Sequence, residues 1–134
     1  MLGDELGTIT GEMTGMRVLS TDGGHAVVET SFRATGTLLG VDVKDMGTYE
    51  SVSRPDGTLF GEGHGVSMTQ AGDTITWHGS GVGRFTESGG VSWRGALFYE
   101  TASTEFTRLN GIAGLFEFET EESGKVYGTL YEWK

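Results

Sequence analysis

The side chains best suited to chemistry lie on neighbouring strand-like segments and share one face of them. They are two imidazoles, two carboxylates and a guanidinium: Glu50, Glu62, His64, His78 and Arg94. The histidines could bind a metal ion with Glu62 or act as a general acid–base pair. Cross-strand ion pairs on an outer wall are favoured instead, because no two histidines are two or four residues apart. Glu62, His64, His78 and Arg94 are therefore catalytic candidates only if their face turns inward, and we predict no metal site.

The strands that carry these residues are predicted from the alternation of apolar and polar residues through most of the chain, broken by turn residues. Eight strands are expected, at 6–19, 25–38, 41–54, 58–69, 74–85, 91–101, 112–120 and 125–133. Ser103 or Thr104 can cap a short helix before the seventh strand, and Asn110-Gly111 suits its left-handed end. Short turns make neighbouring strands antiparallel, and closing the sheet hides both of its edges. We predict an all-β, closed eight-stranded antiparallel barrel, with a sandwich as the alternative.

The face opposite the charged residues combines glycine at alternate positions with aromatic rings. Charged groups are rarely buried without partners, so the glycine face is predicted to point inward. Its members are the expected ligand-binding residues: Tyr49, Gly61, Gly63, Gly65, Trp77, Gly79, Gly81, Trp93 and Tyr99. Glycine weakens a strand by about 0.5–1 kcal/mol relative to alanine and needs a reason here. Two reasons stay open: a hollow lumen that holds a small molecule, or a dry core in which rings stack over the glycines.

Two further groups of residues carry expectations. Asp45 and Arg17 fall on inward positions and could anchor a ligand headgroup, although exposure at frayed strand ends is the favoured interpretation. Tyr127, Tyr131 and Trp133 alternate on the last strand, where they could form a subunit interface or pack against the first strand. We predict a homo-oligomer, a dimer or a trimer.

Length and charge exclude several classes of protein. The 134 residues fit one domain, 1–134, and a net charge of −10 disfavours nucleic acid and anionic membrane surfaces as partners. The chain has no cysteine, so disulfides and thiolate metal sites are excluded. With neither a signal peptide nor a membrane-spanning segment expected, a cytoplasmic protein is predicted. No nucleophile elbow or phosphate-binding glycine run occurs, which disfavours hydrolases and nucleotide binding.

The succession of segments resembles the allene oxide cyclase-like β-barrel proteins, and most closely their bacterial members of unknown function. The resemblance rests on MGTYESVSRPDGTLFGEGHGVSM at 46–68, TITWHGSGVGRF at 74–85 and the run from Leu109 to Gly114. The resemblance covers about residues 25–134 and implies a calycin-like barrel with a pocket in its lumen, often oligomeric. Plant relatives cyclise an unsaturated epoxide, and some bacterial relatives close rings in polyketide assembly. Many members carry a glutamate in the lumen where this chain has Gly63, so the resemblance implies no catalytic carboxylate there.

Three functions follow as hypotheses. The first is a barrel that binds a small apolar molecule, with cyclase or isomerase activity that arises from holding a flexible substrate folded. The second is a non-catalytic carrier or sensor of a hydrophobic metabolite, and the third is a packed structural barrel without a ligand. No cofactor is predicted for any of them.

Overall fold

The computed structural model describes residues 2–134, which form one closed barrel of eight antiparallel strands in chain order, β1 to β8. The strands are β1 Leu2–Ser20, β2 Val27–Leu38, β3 Val41–Ser53, β4 Leu59–Thr69, β5 Thr74–Phe85, β6 Val91–Thr101, β7 Gly114–Thr120 and β8 Lys125–Trp133. The predicted all-β closed barrel is confirmed. β1 begins four residues earlier than expected, because its first residues pair with the end of β8 and so close the sheet.

The turns between strands contain glycines that lie between the predicted strand ranges. Within residues 2–134, positive φ angles occur at Gly23, Gly24, Gly40, Gly57, Gly72, Gly89 and Gly124, and at one other residue, Leu39. Each of these residues belongs to a predicted turn, where a left-handed backbone is needed. The glycines on the inward face of the strands have ordinary extended backbones, so their role must lie in the space around them.

The connection from β6 to β7 contains a 3₁₀ turn, Thr107–Gly111, which closes one end of the barrel. The expected side-chain cap at its start does not form, and Gly111 is not left-handed. Instead, Asn110 fixes the segment to β6: its Nδ2 donates to the Thr101 carbonyl oxygen at 3.0 Å, and its Oδ1 accepts from the Thr101 amide at 2.8 Å. Two fully buried side chains, Phe106 and Leu109, fill the end of the barrel.

The core divides into two layers along the barrel axis. The layer at the closed end surrounds the 3₁₀ turn and is built from Leu6, Leu38, Val43, Ile75, Leu97, Tyr99, Phe106 and Leu109. The second layer contains Ile9, Phe32, Ala34 and Val126, with Met13, Tyr49, Trp77 and Phe118 packed against it. In the described part of the chain, no helix has the length and apolar character needed to cross a membrane.

Candidate functional site

The ionisable cluster of Glu50, Glu62, His64, His78 and Arg94 lies on the outer wall. Glu62, His64 and His78 are exposed, and the two histidines are direct cross-strand partners on β4 and β5. Arg94 forms ion pairs with Glu117 at 3.5 Å and Glu119 at 2.8 Å rather than with the other candidates. Residues 2–134 contain no group of three or more potential metal-ligating side chains that could hold an ion. The condition for a catalytic role, an inward-facing cluster, is not met.

The inward face carries the glycines and the rings, and the rings lie against the glycines. A Cβ atom at Gly61 would stand 2.8 Å from the Trp93 ring, and one at Gly47 would stand 2.7 Å from the rings of Phe32 and Trp77. The same relation links Gly65 with Trp77, Gly83 with Trp93, and both Gly81 and Gly95 with Phe116. Most glycines of this face are therefore positions where an aromatic ring packs directly against the backbone, which we call ring seats. The dry-core alternative expected this arrangement.

Gly63 and Gly79 differ from the ring seats. They are cross-strand partners on β4 and β5, and the three atoms nearest to each Cβ position belong to backbone or to a Cβ atom rather than to an aromatic ring. A Cβ atom on Gly63 would lie 2.7 Å from the Cβ atom of Tyr49, and one on Gly79 would lie 2.8 Å from that of Leu97. These two glycines allow the strands to approach closely, so a larger residue at Gly63 strains the sheet before it fills any space.

A cavity of about 90 Å³ remains between the rings. Its walls are almost entirely apolar and include Phe32, Leu97, Phe116, Phe118 and Leu130. Every ligand-binding residue predicted from the sequence except Gly65 also lines it. The lumen is thus neither hollow nor fully packed: rings fill most of it and leave one small space.

A buried carboxyl group, Asp45 on β3, stands at the wall of this cavity. It is only 5% exposed, and its Oδ1 accepts hydrogen bonds from Trp77 Nε1 at 2.9 Å and from Ser67 Oγ at 3.2 Å. Burial raises the pKa of Asp45 above its ordinary value, against the opposing effect of these hydrogen bonds. Among the described residues no basic side chain forms an ion pair with it, so Asp45 is a proton-binding group in an apolar interior.

Two further polar atoms in the lumen have no hydrogen-bond partner in the described structure: the Tyr99 hydroxyl and Trp93 Nε1. Both residues are buried, and both line the cavity. Burial, and secondarily the nearby Asp45 carboxylate, raises the pKa of Tyr99, so its hydroxyl stays protonated. Burial likewise raises the pKa of Tyr49 to about 12, against the opposing effect of the Thr30 and Trp93 side chains. Trp93 Nε1 therefore lies close to the Tyr49 hydroxyl but does not meet hydrogen-bond geometry with it, so it stays unpaired like the Tyr99 hydroxyl. Unpaired buried donors are rare because each one costs about 1–3 kcal/mol, which marks these two as groups that a ligand could satisfy.

The structure decides the earlier question about Asp45 and Arg17. Arg17 is exposed and pairs with Glu29 at 3.4 Å, as favoured. The favoured exposure of Asp45 is wrong, because it lies well inside β3 and opposite Ser67 in the register. The alternation of residues places Asp45 inward, but the sequence alone does not identify Ser67 as its neighbour. The buried pair of Asp45 and Trp77 could have been found from a different signal: a carboxyl group and an indole lie on the inward parity of nearby strands.

The barrel has close structural neighbours, although the sequence matches no protein-family model and no curated protein. A conserved protein of unknown function from Rhodopseudomonas palustris superposes with a TM-score of 0.83 at 13% identity, over 98% of this chain and 97% of its own. A β-barrel-like protein from Acinetobacter baumannii gives 0.82 at 12% identity, over 98% and 94%. An enzyme from Penicillium herquei gives 0.70 at 14% identity, over 96% and 92%. At these identities the likeness establishes the fold alone.

Proposed function

We propose that this barrel binds a small, mostly apolar molecule in its lumen. The observation that carries the proposal is the combination of an apolar cavity of about 90 Å³ with two buried donors that have no partner, Tyr99 and Trp93. A dry core that only stabilises the fold would gain from replacing these donors with apolar groups of the same shape. Their presence beside a cavity supports a ligand that accepts hydrogen bonds from them.

The size of the cavity limits the ligand. An apolar cavity of about 150 Å³ holds benzene, and sites for drug-sized ligands span about 300–1,000 Å³. The space seen here therefore suits a molecule no larger than about the size of benzene while the rings keep their positions. A longer substrate enters only if a ring such as Trp77 or Trp93 leaves its glycine seat.

Catalysis is the finer part of the proposal. The resemblance to allene oxide cyclase-like barrels suggests a cyclase or isomerase that folds its substrate against aromatic walls, and Asp45 adds a proton-binding group at that wall. The Penicillium herquei enzyme is a catalyst of similar fold, although fold by itself does not define function. A carrier of a hydrophobic metabolite is the second candidate, favoured by the few ionisable groups that line the cavity.

Pentane tests the pocket, because it has no polar group and its narrow chain can adapt to the space between the rings. Binding is followed through the indole N–H resonances of the protein, with Trp133 on the exposed end of β8 as the internal reference. We expect pentane to shift the Trp77 and Trp93 signals and to leave Trp133 unchanged.

A matched pair of variants locates the binding. Leu97→Phe places extra atoms in the cavity, whereas Leu115→Phe adds the same atoms outside the lumen, since Leu115 on β7 does not line the cavity. Pentane binding should disappear in the first variant and persist in the second. Equal binding by both variants, or no shift of either lumen indole in the wild type, would refute a pocket in the lumen.

A further inference from the structure

We propose that the Tyr99 hydroxyl and the Asp45 carboxyl group together form a subsite for a hydroxyl group on an otherwise apolar ligand. The inference rests on the proposed function, because it names the chemical class of the molecule that occupies the same cavity. A ligand of this class is a small aliphatic alcohol or a molecule that presents such a group at one end.

The register places Asp45 one inward position away from the row that contains Tyr99, and Trp77 spans that offset. Trp77 is the cross-strand partner of Tyr99 on one side and of Gly65 on the other. Its indole crosses the Gly65 seat to donate to Asp45. Asp45 in turn lies opposite Ser67, whose hydroxyl donates to the same carboxyl oxygen. The indole thus joins β5, the neighbour of the strand that carries Tyr99, to the strand that carries Asp45.

Each residue has an unused hydrogen-bonding position. The two side-chain donors of Asp45 both bond to Oδ1, and the Met46 backbone amide is a third donor to this carboxyl group. A carboxylate has about four acceptor positions, so one position of Asp45 stays open. The Tyr99 hydroxyl has no partner at all, although it lies near enough for the Asp45 charge to act on it. Both residues line the same cavity, so a ligand in it that can both donate and accept is able to use the tyrosine donor and the open acceptor position together.

The O–H of a hydroxyl group can both donate a hydrogen bond and accept one. It accepts from the Tyr99 O–H and donates to Asp45 Oδ2. A carbonyl or ether oxygen satisfies only the tyrosine, and an ammonium group brings a second charge into an apolar cavity where desolvation opposes it. The apolar wall around Leu97 and Phe116 then holds the hydrocarbon part of the molecule.

Two isomers of the formula C4H10O provide the test, because butan-1-ol and diethyl ether have the same atoms but only the alcohol donates. Pentane and butan-1-amine complete the set. Affinities are measured from the indole resonances, and we expect the wild type to bind the alcohol at least about fivefold more tightly than the ether. An amine that binds more tightly than the alcohol would overturn the inference.

Two conservative variants separate the contributions. Asp45→Asn keeps an oxygen for the Trp77 and Ser67 donors but turns the Oδ2 position into an N–H donor, so it should reverse the preference in favour of the ether. Tyr99→Phe should weaken both oxygen ligands about fivefold and leave pentane unchanged. Tyr127→Phe, on the exposed face of β8, is the control and should change nothing.

The outcomes distinguish the two proposals. Normal pentane binding with no preference for the alcohol, or a preference that survives Asp45→Asn, overturns the hydroxyl subsite and leaves the apolar pocket intact. If pentane, alcohol and ether all fail to reach the lumen of the folded wild type, the proposed function falls and the subsite falls with it.

Discussion

Replacing Gly65 with alanine tests whether the inward-facing glycines are seats for rings. Gly65 lies on β4 between Gly47 of β3 and Trp77 of β5. A Cβ atom at this position would overlap both the Trp77 indole and the Met46 carbonyl oxygen. Because one of the two neighbours is backbone and cannot rotate away, the strand or the ring must shift.

The expected loss of stability follows from three contributions. Overpacking a core costs about 1–3 kcal/mol. A shifted Trp77 also loses its hydrogen bond to Asp45, which contributes about 0.5–3 kcal/mol depending on the charge of the carboxyl group. Alanine recovers about 0.5–1 kcal/mol of strand propensity. We expect the free energy of unfolding to fall by about 0.5–5.5 kcal/mol.

Urea denaturation of the wild type, Gly65→Ala and Gly15→Ala measures the effect. Gly15 is the matched control, since it is an exposed strand glycine with no heavy atom within 4 Å of its Cβ position. Its replacement should leave stability unchanged or raise it by about 0.5–1 kcal/mol. A Gly65→Ala protein as stable as the wild type, with an unchanged Trp77 indole signal, would refute the ring-seat explanation.

Two further predictions concern buried groups. Burial raises the pKa of Asp45 above that of the unfolded chain, so its contribution to stability is complete below about pH 4 and is lost as pH rises through the folded pKa. Asp45→Asn should therefore gain stability relative to the wild type between pH 4 and pH 8. A constant difference in stability in urea titrations across that range would contradict this prediction. Phe106→Ala should lower the free energy of unfolding by about 3–5 kcal/mol, because Phe106 is fully buried in the closed end; Phe85→Ala, whose side chain is 66% exposed, should change it by less than about 0.5 kcal/mol in the same titration.

Much of the barrel could be predicted because the residues of each strand indicate which of its faces points into the barrel. The alternation along β4, for example, separates Glu62 and His64 from Gly61 and Gly63, and a charge on one parity identifies the wet side without knowledge of any neighbour. The turn glycines are equally local, since Gly57 or Gly72 is recognised from the residues beside it. Local signals therefore sufficed for the fold and for the inward orientation of the aromatic residues.

The site depends on the register between strands, which the sequence does not show. Trp77 meets Asp45 across an intervening strand, and it reaches that far only because Gly65 has no side chain. A shift of the register by two residues would keep every inward parity and still separate the indole from the carboxyl group. The buried state of Asp45 could thus be judged only with the register known, and reasoning from strand ends gave the wrong answer.

The same geometry links the stability of the barrel to ligand binding. An eight-stranded barrel is just wide enough for its own side chains or for one small ligand, so atoms added inside it compete with the rings for space. Trp77 occupies the seat formed by Gly47 and Gly65, contributes to the cavity wall and donates to Asp45. A ligand that hydrogen-bonds to the Asp45 carboxyl group therefore changes the strength of the hydrogen bond between Asp45 and the Trp77 indole. Ligands that differ only in their polar atom should then shift the Trp77 N–H resonance by different amounts while acting alike on Trp93, and equal shifts of both indoles would argue against this link.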